Sequence, residues 1–321
     1  MKKRQQFITE TYYKNLVGFY DSSESYWSSH GLEEDSPGQE ASLKAFEVKQ
    51  DSLKALIIRY TAGEPVSELY ESLERVVRSF EIYQKALADY EGVSNISPLN
   101  LEDSPGDFEE FVQVASLCIL LHRNDLLVRF VHLTDAAGFD SEDTLYEDLL
   151  RKNLPGRADI DEWFHPVYTQ LIRSIYASSK DGASKLLNEY CCQWYEAFGE
   201  LQTNWHDTHL SIDADDGSYV GYWAFEAGAI AFLYGIDDSK IDHMVYPKDL
   251  VEYARNYTGS SISQVGRVDS GQPCSKQGYW FTPAQANSRR YFKQGEIMPN
   301  VDDSRWGDTI WYWSGELRFN K

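Results

Sequence analysis

The chain has little of several things a protein can be built on, and each shortage excludes a class. Cysteine is scarce: Cys118, Cys191, Cys192 and Cys274 are the only four in 321 residues. They have no framework spacing and two are adjacent, which argues against a disulfide scaffold and for a reducing compartment. Long apolar runs are missing. The longest, Ala227 to Tyr234, contains a glycine and falls far short of the roughly 20 residues a membrane span needs. Basic side chains are outnumbered, 30 Lys and Arg against 51 Asp and Glu, for a net charge of −21. A field of that sign repels nucleic acid and anionic lipid, and its natural counterpart is a basic surface. The opening Met1-Lys-Lys-Arg is basic enough for an export signal, but Gln5-Gln6 and the polar residues after them supply no apolar segment, so the chain is expected in the cytoplasm. Walker-type, Gly-x-Gly-x-x-Gly, Gly-x-Ser-x-Gly and His-Glu-x-x-His patterns are all missing, and with them the common phosphate, dinucleotide, hydrolase and zinc-protease signals.

Strand alternation is also nearly missing before residue 258, and what stands in its place is helical periodicity. After Pro65, a good first-turn residue, Leu69, Leu73, Val76, Phe80, Tyr83, Leu87 and Tyr90 recur at steps of three and four. That is the apolar stripe of a long amphipathic helix. Leu43 to Tyr60 carries a matching stripe and pairs with it as a hairpin across Thr61-Ala-Gly63-Glu. Further helices are expected at Phe108 to His122, Asp125 to Ala136 with Gly138 as its stop, Glu142 to Lys152, Trp163 to Ser178, Ala183 to Phe198, Tyr222 to Tyr234 and Pro247 to Tyr257. Residues 1 to 40 read as an ordered start followed by a loose loop. From residue 258 onward glycine, serine, proline and aromatics dominate, and Ile310-Trp-Tyr-Trp313 has the look of a short strand. This tail has 8 Lys and Arg against 6 Asp and Glu, leaving 22 against 45 on residues 1 to 257. The expected fold is mainly α, a bundle of antiparallel helix pairs with a less regular C-terminal segment containing short strands. Its expected divisions are an N-terminal helical domain (1–153), a C-terminal helical domain (154–257) and an aromatic-rich tail on the bundle (258–321), with Leu154 to Asp161 as the boundary.

His206-Asp-Thr-His209, with Asp213 to Asp216 nearby, is the best metal candidate and would make the chain a metal-dependent hydrolase. No third ligand has fixed spacing, and the alternative is histidines that cap and pack. Cys274 as a thiol nucleophile would need a base, and the Gly- and Pro-rich setting of Ser270-Gly-Gln-Pro-Cys274 and Gly278-Tyr-Trp280 suits a packed turn. Of Cys191 and Cys192, one is expected in the core and the other partly exposed. Carboxylates cluster at Glu33 to Asp35, Asp140 to Asp148, Asp159 to Glu162, Asp213 to Asp216 and Asp237-Asp238 with Asp242. Singly each reads as a solvated loop or a helix N-terminal turn, but together they resemble the charge of a phosphate backbone.

The densest stretch runs from Trp194 to Arg255, where aromatics, carboxylates and small residues alternate and no nucleophile stands beside a base. Ala224, Gly228 and Ala231 form a small-residue stripe that lets a helix approach a neighbour closely. Trp, Tyr and carboxylates together suit recognition more than bond breaking. The candidate partner-binding residues are Asp213, Asp215, Asp216, Tyr219, Asp237 and Asp238, with Glu226 less favoured because its helix is largely apolar; Tyr222 and Trp223 suit the core. No catalytic residue, metal or cofactor is expected.

Tyr219-Val-Gly-Tyr-Trp-Ala-Phe-Glu-Ala-Gly-Ala-Ile-Ala231, Ile236-Asp-Asp238 and Tyr246-Pro-Lys-Asp-Leu-Val251 resemble the C-terminal domain of the PoNi family of bacterial immunity proteins. The hairpin around Arg59-Tyr60-Thr-Ala-Gly63 is similar to that family's N-terminal domain. The resemblance spans about residues 45 to 257. It implies a helical, cytoplasmic, non-enzymatic protein that neutralises a cognate secreted toxin by binding it, the toxin being a DNase with a basic surface and type VI secretion the expected route. The tail around Pro273-Cys274 and Gly278-Tyr-Trp280 is similar to immunity families encoded beside polymorphic toxins, with Ser275 where those often have Pro. An interaction scaffold unrelated to toxins is the other reading of an acidic helical chain. Neither direct nucleic-acid binding nor membrane association is expected, and the oligomeric state is open.

Overall fold

The computed structural model describes residues 2–32, 36–201, 203–213, 216–257, 267–282, 285, 288–301 and 309–315. Its first helix, α1 (Glu10–Ser29), forms from the ordered start and runs on through Ser22 to Ser29, the first part of the stretch that the sequence marks as a loose loop. Thr9 Oγ1 caps it by accepting from Tyr12 N at 3.0 Å, and Tyr12, Leu16, Tyr20 and Ser23 make a buried stripe against the next helix. The stripe is thin and its second half is serine-rich, so composition hides it. The hydroxyls of Ser22, Ser25 and Ser28 donate back to carbonyls one turn earlier and leave the helix intact.

The hairpin forms as expected. Helix α2 (Pro37–Ala62) starts with Ser36 accepting from Gln39 N and Pro37 in the first turn, and ends at Gly63 in the left-handed region (φ +90°). A 3-10 turn (Val66–Leu69) leads into α3 (Tyr70–Glu91), which packs along α2. Then come α4 (Pro105–Leu120), α5 (Asn124–Asp135), α6 (Thr144–Leu150), a 3-10 turn (Pro166–Tyr168), α7 (Thr169–Ile175), α8 (Lys180–Glu200), a 3-10 turn (Thr208–Ser211), α9 (Phe225–Tyr234) and α10 (Lys248–Asn256). Helix α4 is the axis of the molecule, with buried side chains from Phe108 through Leu120 and α5, α6, α9 and α10 around it.

The small-residue stripe on α9 does what it predicts. A Cβ added at Gly228 would lie 2.8 Å from Pro247 Cγ, 2.9 Å from Val251 Cγ2 and 3.5 Å from Leu120 Cδ1, so glycine sets the approach of α9 to α10 and α4. Residues before Phe225, expected in the same helix, are not helical. Ala224 N donates to Val245 O, and Gly221 takes φ +136°, which a helix cannot contain. One apolar core runs from Ile8 to Ala254 and crosses the Leu154–Asp161 stretch.

The tail forms a four-stranded antiparallel sheet from β1 (Arg267–Asp269), β2 (Gly278–Phe281), β3 (Arg290–Phe292) and β4 (Ile310–Gly315), in the order β1-β4-β2-β3. It has its own core of Val268, Cys274, Trp280, Phe292, Met298 and Trp311, and β4 meets α5. Cys274 is a packing residue: its thiol is buried and approaches Lys276 O at 3.0 Å, and burial pushes its pKa up. Cys191 is buried and Cys192 exposed, as their places on α8 predict.

Candidate functional site

Helix α8 builds the site from its spacing. Tyr190, Trp194 and Phe198 recur every four residues and face the core, and Ser179 caps the helix start. Beyond Glu200 the chain turns back so that Trp205 stacks on Trp194, with centroids 4.7 Å apart and planes 16° from parallel. Each indole serves one buried carboxylate. Trp205 Nε1 donates to Glu109 Oε2 at 2.8 Å, and Trp194 Nε1 donates to Glu226 Oε1 at 2.9 Å, which also accepts from Tyr190 OH at 2.7 Å. Among the described residues neither carboxylate pairs with Lys or Arg. Burial therefore pushes Glu109 to about 8 and Glu226 to about 7.

The loop after Trp205 is held from below. Tyr195 OH donates to Asp207 Oδ1 at 2.6 Å and accepts from Asp207 N at 3.2 Å, and Asp207 sits in the left-handed region at φ +60°. Buried Tyr222 accepts from His209 N at 3.1 Å, and its hydroxyl lies 2.7 Å from His209 Nδ1. The ring of Phe7 meets His209 at 4.7 Å. On the outer side the loop presents Leu210, 73% exposed, between the exposed carboxylates of Asp207 and Asp213. Asp213 N donates to Asp216 O at 2.9 Å and Gly217 N to Asp216 Oδ1 at 2.7 Å, and Asp213 and Asp216 are both exposed. Glu196 and Glu200 are exposed on the last turns of α8. No Lys or Arg occurs in the sequence between Lys185 and Lys240, and His206 Nδ1 lies 3.5 Å from Asp207 Oδ2.

The residues singled out in the sequence divide sharply. Asp213, Asp216 and Asp237 are exposed, and Asp215 lies outside the described residues. Tyr219, Glu226 and Asp238 are buried and cannot serve as exposed contacts. Tyr219 is fully enclosed: its hydroxyl donates to Gln5 Oε1 and its carbonyl accepts from Tyr12 OH at 2.8 Å. Glu226 is enclosed by Tyr190 and Trp194. Asp238 accepts from Tyr246 OH at 2.6 Å and pairs with Arg255 at 2.5 Å. Tyr222 and Trp223 are core, as expected. Asp237 is not part of the Asp207–Asp216 face. Its carbonyl accepts from Ser184 Oγ near the start of α8, about 17 Å of helix before Tyr195.

Other acidic groups also depart from the simple reading. Asp143, Glu147 and Asp148 are buried, not solvated. Asp143 caps α6 through Tyr146 N and accepts from Phe164 N, Glu147 faces Arg157, and Asp148 pairs with Arg151 at 2.9 Å. Glu33, Glu34 and Asp35 lie outside the described residues. His206 lies on Tyr195 at 4.2 Å, and His209 Nδ1 lies 2.7 Å from the Tyr222 hydroxyl. Among the described residues no group of three His, Cys, Asp or Glu is placed to hold a metal ion. Leu210 carries no sequence signal beyond its place in an acidic turn, because exposure of a lone leucine is a property of the fold.

No helix among the described residues is long and apolar enough to cross a membrane. Among solved structures, the chain is similar to the crystal structure of protein PA2201 from Pseudomonas aeruginosa, with a TM-score of 0.60 and 21% identity over 79% of this chain and 90% of that one. That likeness establishes a shared fold. No curated protein matches. The family model for PoNe immunity proteins (PoNi), C-terminal, matches residues 141–250, which include α8, the carboxylate face and α9. Over those residues the chain is similar to the C-terminal part of PoNe immunity proteins.

Proposed function

We propose that the chain binds and neutralises one cognate toxin in the cytoplasm of the cell that makes it, that the toxin is a nuclease delivered by a route such as type VI secretion, and that the chain does this without catalysis of its own. The match to PoNe immunity proteins over residues 141–250 carries this reading. Charge supports the choice of a nuclease. An enzyme that grips a phosphate backbone presents a basic surface, and a partner with a net charge of −21 is attracted to it from a distance. The exposed carboxylates at Asp213 and Asp216 supply steering, with Asp237 as a separate contribution from the other end of α8. Asp215 stands in the same sequence cluster.

Co-expression tests the proposal. Cells producing the toxin encoded beside this chain's gene are expected to lose viability with fragmented DNA, and to recover both when the chain is co-produced. Continued death with both proteins present would contradict neutralisation. Death with intact nucleic acid, reversed by the chain, would contradict the nuclease alone.

A further inference from the structure

We infer that residues 2–8, the segment before α1, form a clasp whose release is a discrete opening step of the folded molecule. Release unlocks Tyr222 and the 208–211 turn that rests on it, while the core around α4 stays closed. Two stretches without regular secondary structure meet at the clasp, 2–8 and 216–224. Buried backbone outside helices and sheets must find its hydrogen-bond partners elsewhere, and here one side chain supplies several of them. Gln5 is buried and uses both of its donors and both acceptor positions of its oxygen. Its Nε2 donates to Tyr222 O at 2.6 Å and to Met244 O at 3.0 Å, and its Oε1 accepts from Tyr222 N at 3.0 Å and from Tyr219 OH.

On its other side the segment grips the end of α2. Arg4 N donates to Thr61 O at 2.8 Å, Arg4 Nη1 donates to Tyr60 O at 2.5 Å and Glu64 O at 3.0 Å, and Arg4 Nε pairs with Asp249 at 2.5 Å. The chain passes so close over Gly63 that a Cβ there would collide with Lys2 O. Phe7 carries the contact onward, its ring 5.4 Å from Tyr219 and 4.7 Å from His209. Residues 2–8 and α2 lie outside the stretch that the PoNe immunity-protein model matches, and Tyr219, Tyr222, Met244 and Asp249 lie inside it, so the clasp ties one to the other. Local openings occur where little apolar surface is buried and no regular backbone ladder holds the chain. Ile8 is the one fully buried apolar side chain of the segment, whereas α4 is buried along most of its length. Withdrawal of Gln5 strips Tyr222 N, Tyr222 O, Met244 O and Tyr219 OH of a partner together, which makes detachment and the loosening of Tyr222 one event. Tyr12 OH on Tyr219 O and Thr61 Oγ1 on Val220 O remain in place and keep the opening local.

Residue-resolved amide hydrogen exchange of the full chain is the test. In the parent, the amides of Arg4 and Tyr222 are expected to have protection factors within about threefold of each other, and both about tenfold or more below those of residues 114–119 in α4. An Arg4 amide that exchanges far faster than Tyr222, or a Tyr222 amide as protected as α4, would overturn the clasp. Gln5→Ala is expected to speed exchange at Arg4, Tyr222 and His209 by about tenfold or more, with a smaller change at 114–119. The control is Val131→Ala, a cavity in buried α5 away from the clasp, which is expected to change α4 at least as much as Tyr222. Equal acceleration at Tyr222 and α4 in Gln5→Ala would make Gln5 an ordinary part of the global fold and overturn the proposal. If Gln5→Ala does not fold, the comparison within the parent decides alone.

Discussion

Glu109 and Glu226 are buried carboxylates that pair with no Lys or Arg among the described residues. Glu226 takes up its proton near pH 7 in the folded protein and Glu109 near pH 8, whereas an unfolded chain holds that proton only below about 4.5. Between those limits the folded state binds more protons than the unfolded one, so stability is greatest at the acidic end and falls as pH rises through the window. Glu226→Gln keeps an acceptor for Tyr190 and Trp194 and removes the titration. In urea unfolding it is expected to exceed the parent by about 3 kcal/mol at pH 8 and to converge with it near pH 4.5. Parallel pH profiles for the two proteins would show that Glu226 does not titrate in this range. The burial of Glu226, Tyr219 and Asp238 could not be read from the chain. The partners of Tyr219 and Glu226 come from remote positions, Gln5 and Tyr12 for the first and Tyr190 with Trp194 for the second, and local composition looks the same whether an acid or an aromatic points in or out.

Elements were more legible than residues, because a helix that buries one face repeats its apolar side chains along the chain. The stripes on α2, α3, α5 and α8 show their helices directly, and the small stripe on α9 shows close packing. Helix α1 is hidden by its serines. The segment before α9 is misread as helix because Tyr222 and Trp223 fit the stripe, while the backbone is held instead by Val245 and Gln5. Gly228 tests whether close approach of α9 matters. Alanine there gains up to about 1 kcal/mol of helix propensity, but its Cβ meets Pro247 and Val251 below 3.0 Å, and such overpacking costs about 1–3 kcal/mol. The net expectation for Gly228→Ala is a loss of about 1 kcal/mol and a melting temperature lower by a few degrees. An unchanged or raised melting temperature would mean that α9 and α10 separate at no cost.

At the scale of the whole molecule the charge is the organising quantity. The excess of carboxylates was plain from composition, and it is what favours a basic partner in the proposed function. Which of them form a face was not, since that depends on Trp205 folding back on Trp194 and on Tyr195 and Tyr222 holding the turn beneath Leu210. Capture of a basic toxin domain by this acidic protein is the central point of the proposed function. A binding titration of the two purified proteins at low and high salt tests it most directly. The expected result is a one-to-one complex whose affinity falls by about tenfold or more between roughly 0.05 and 0.5 M salt, as screening shortens the reach of the carboxylate field. Absence of a complex at low salt, with both proteins folded, would contradict the account.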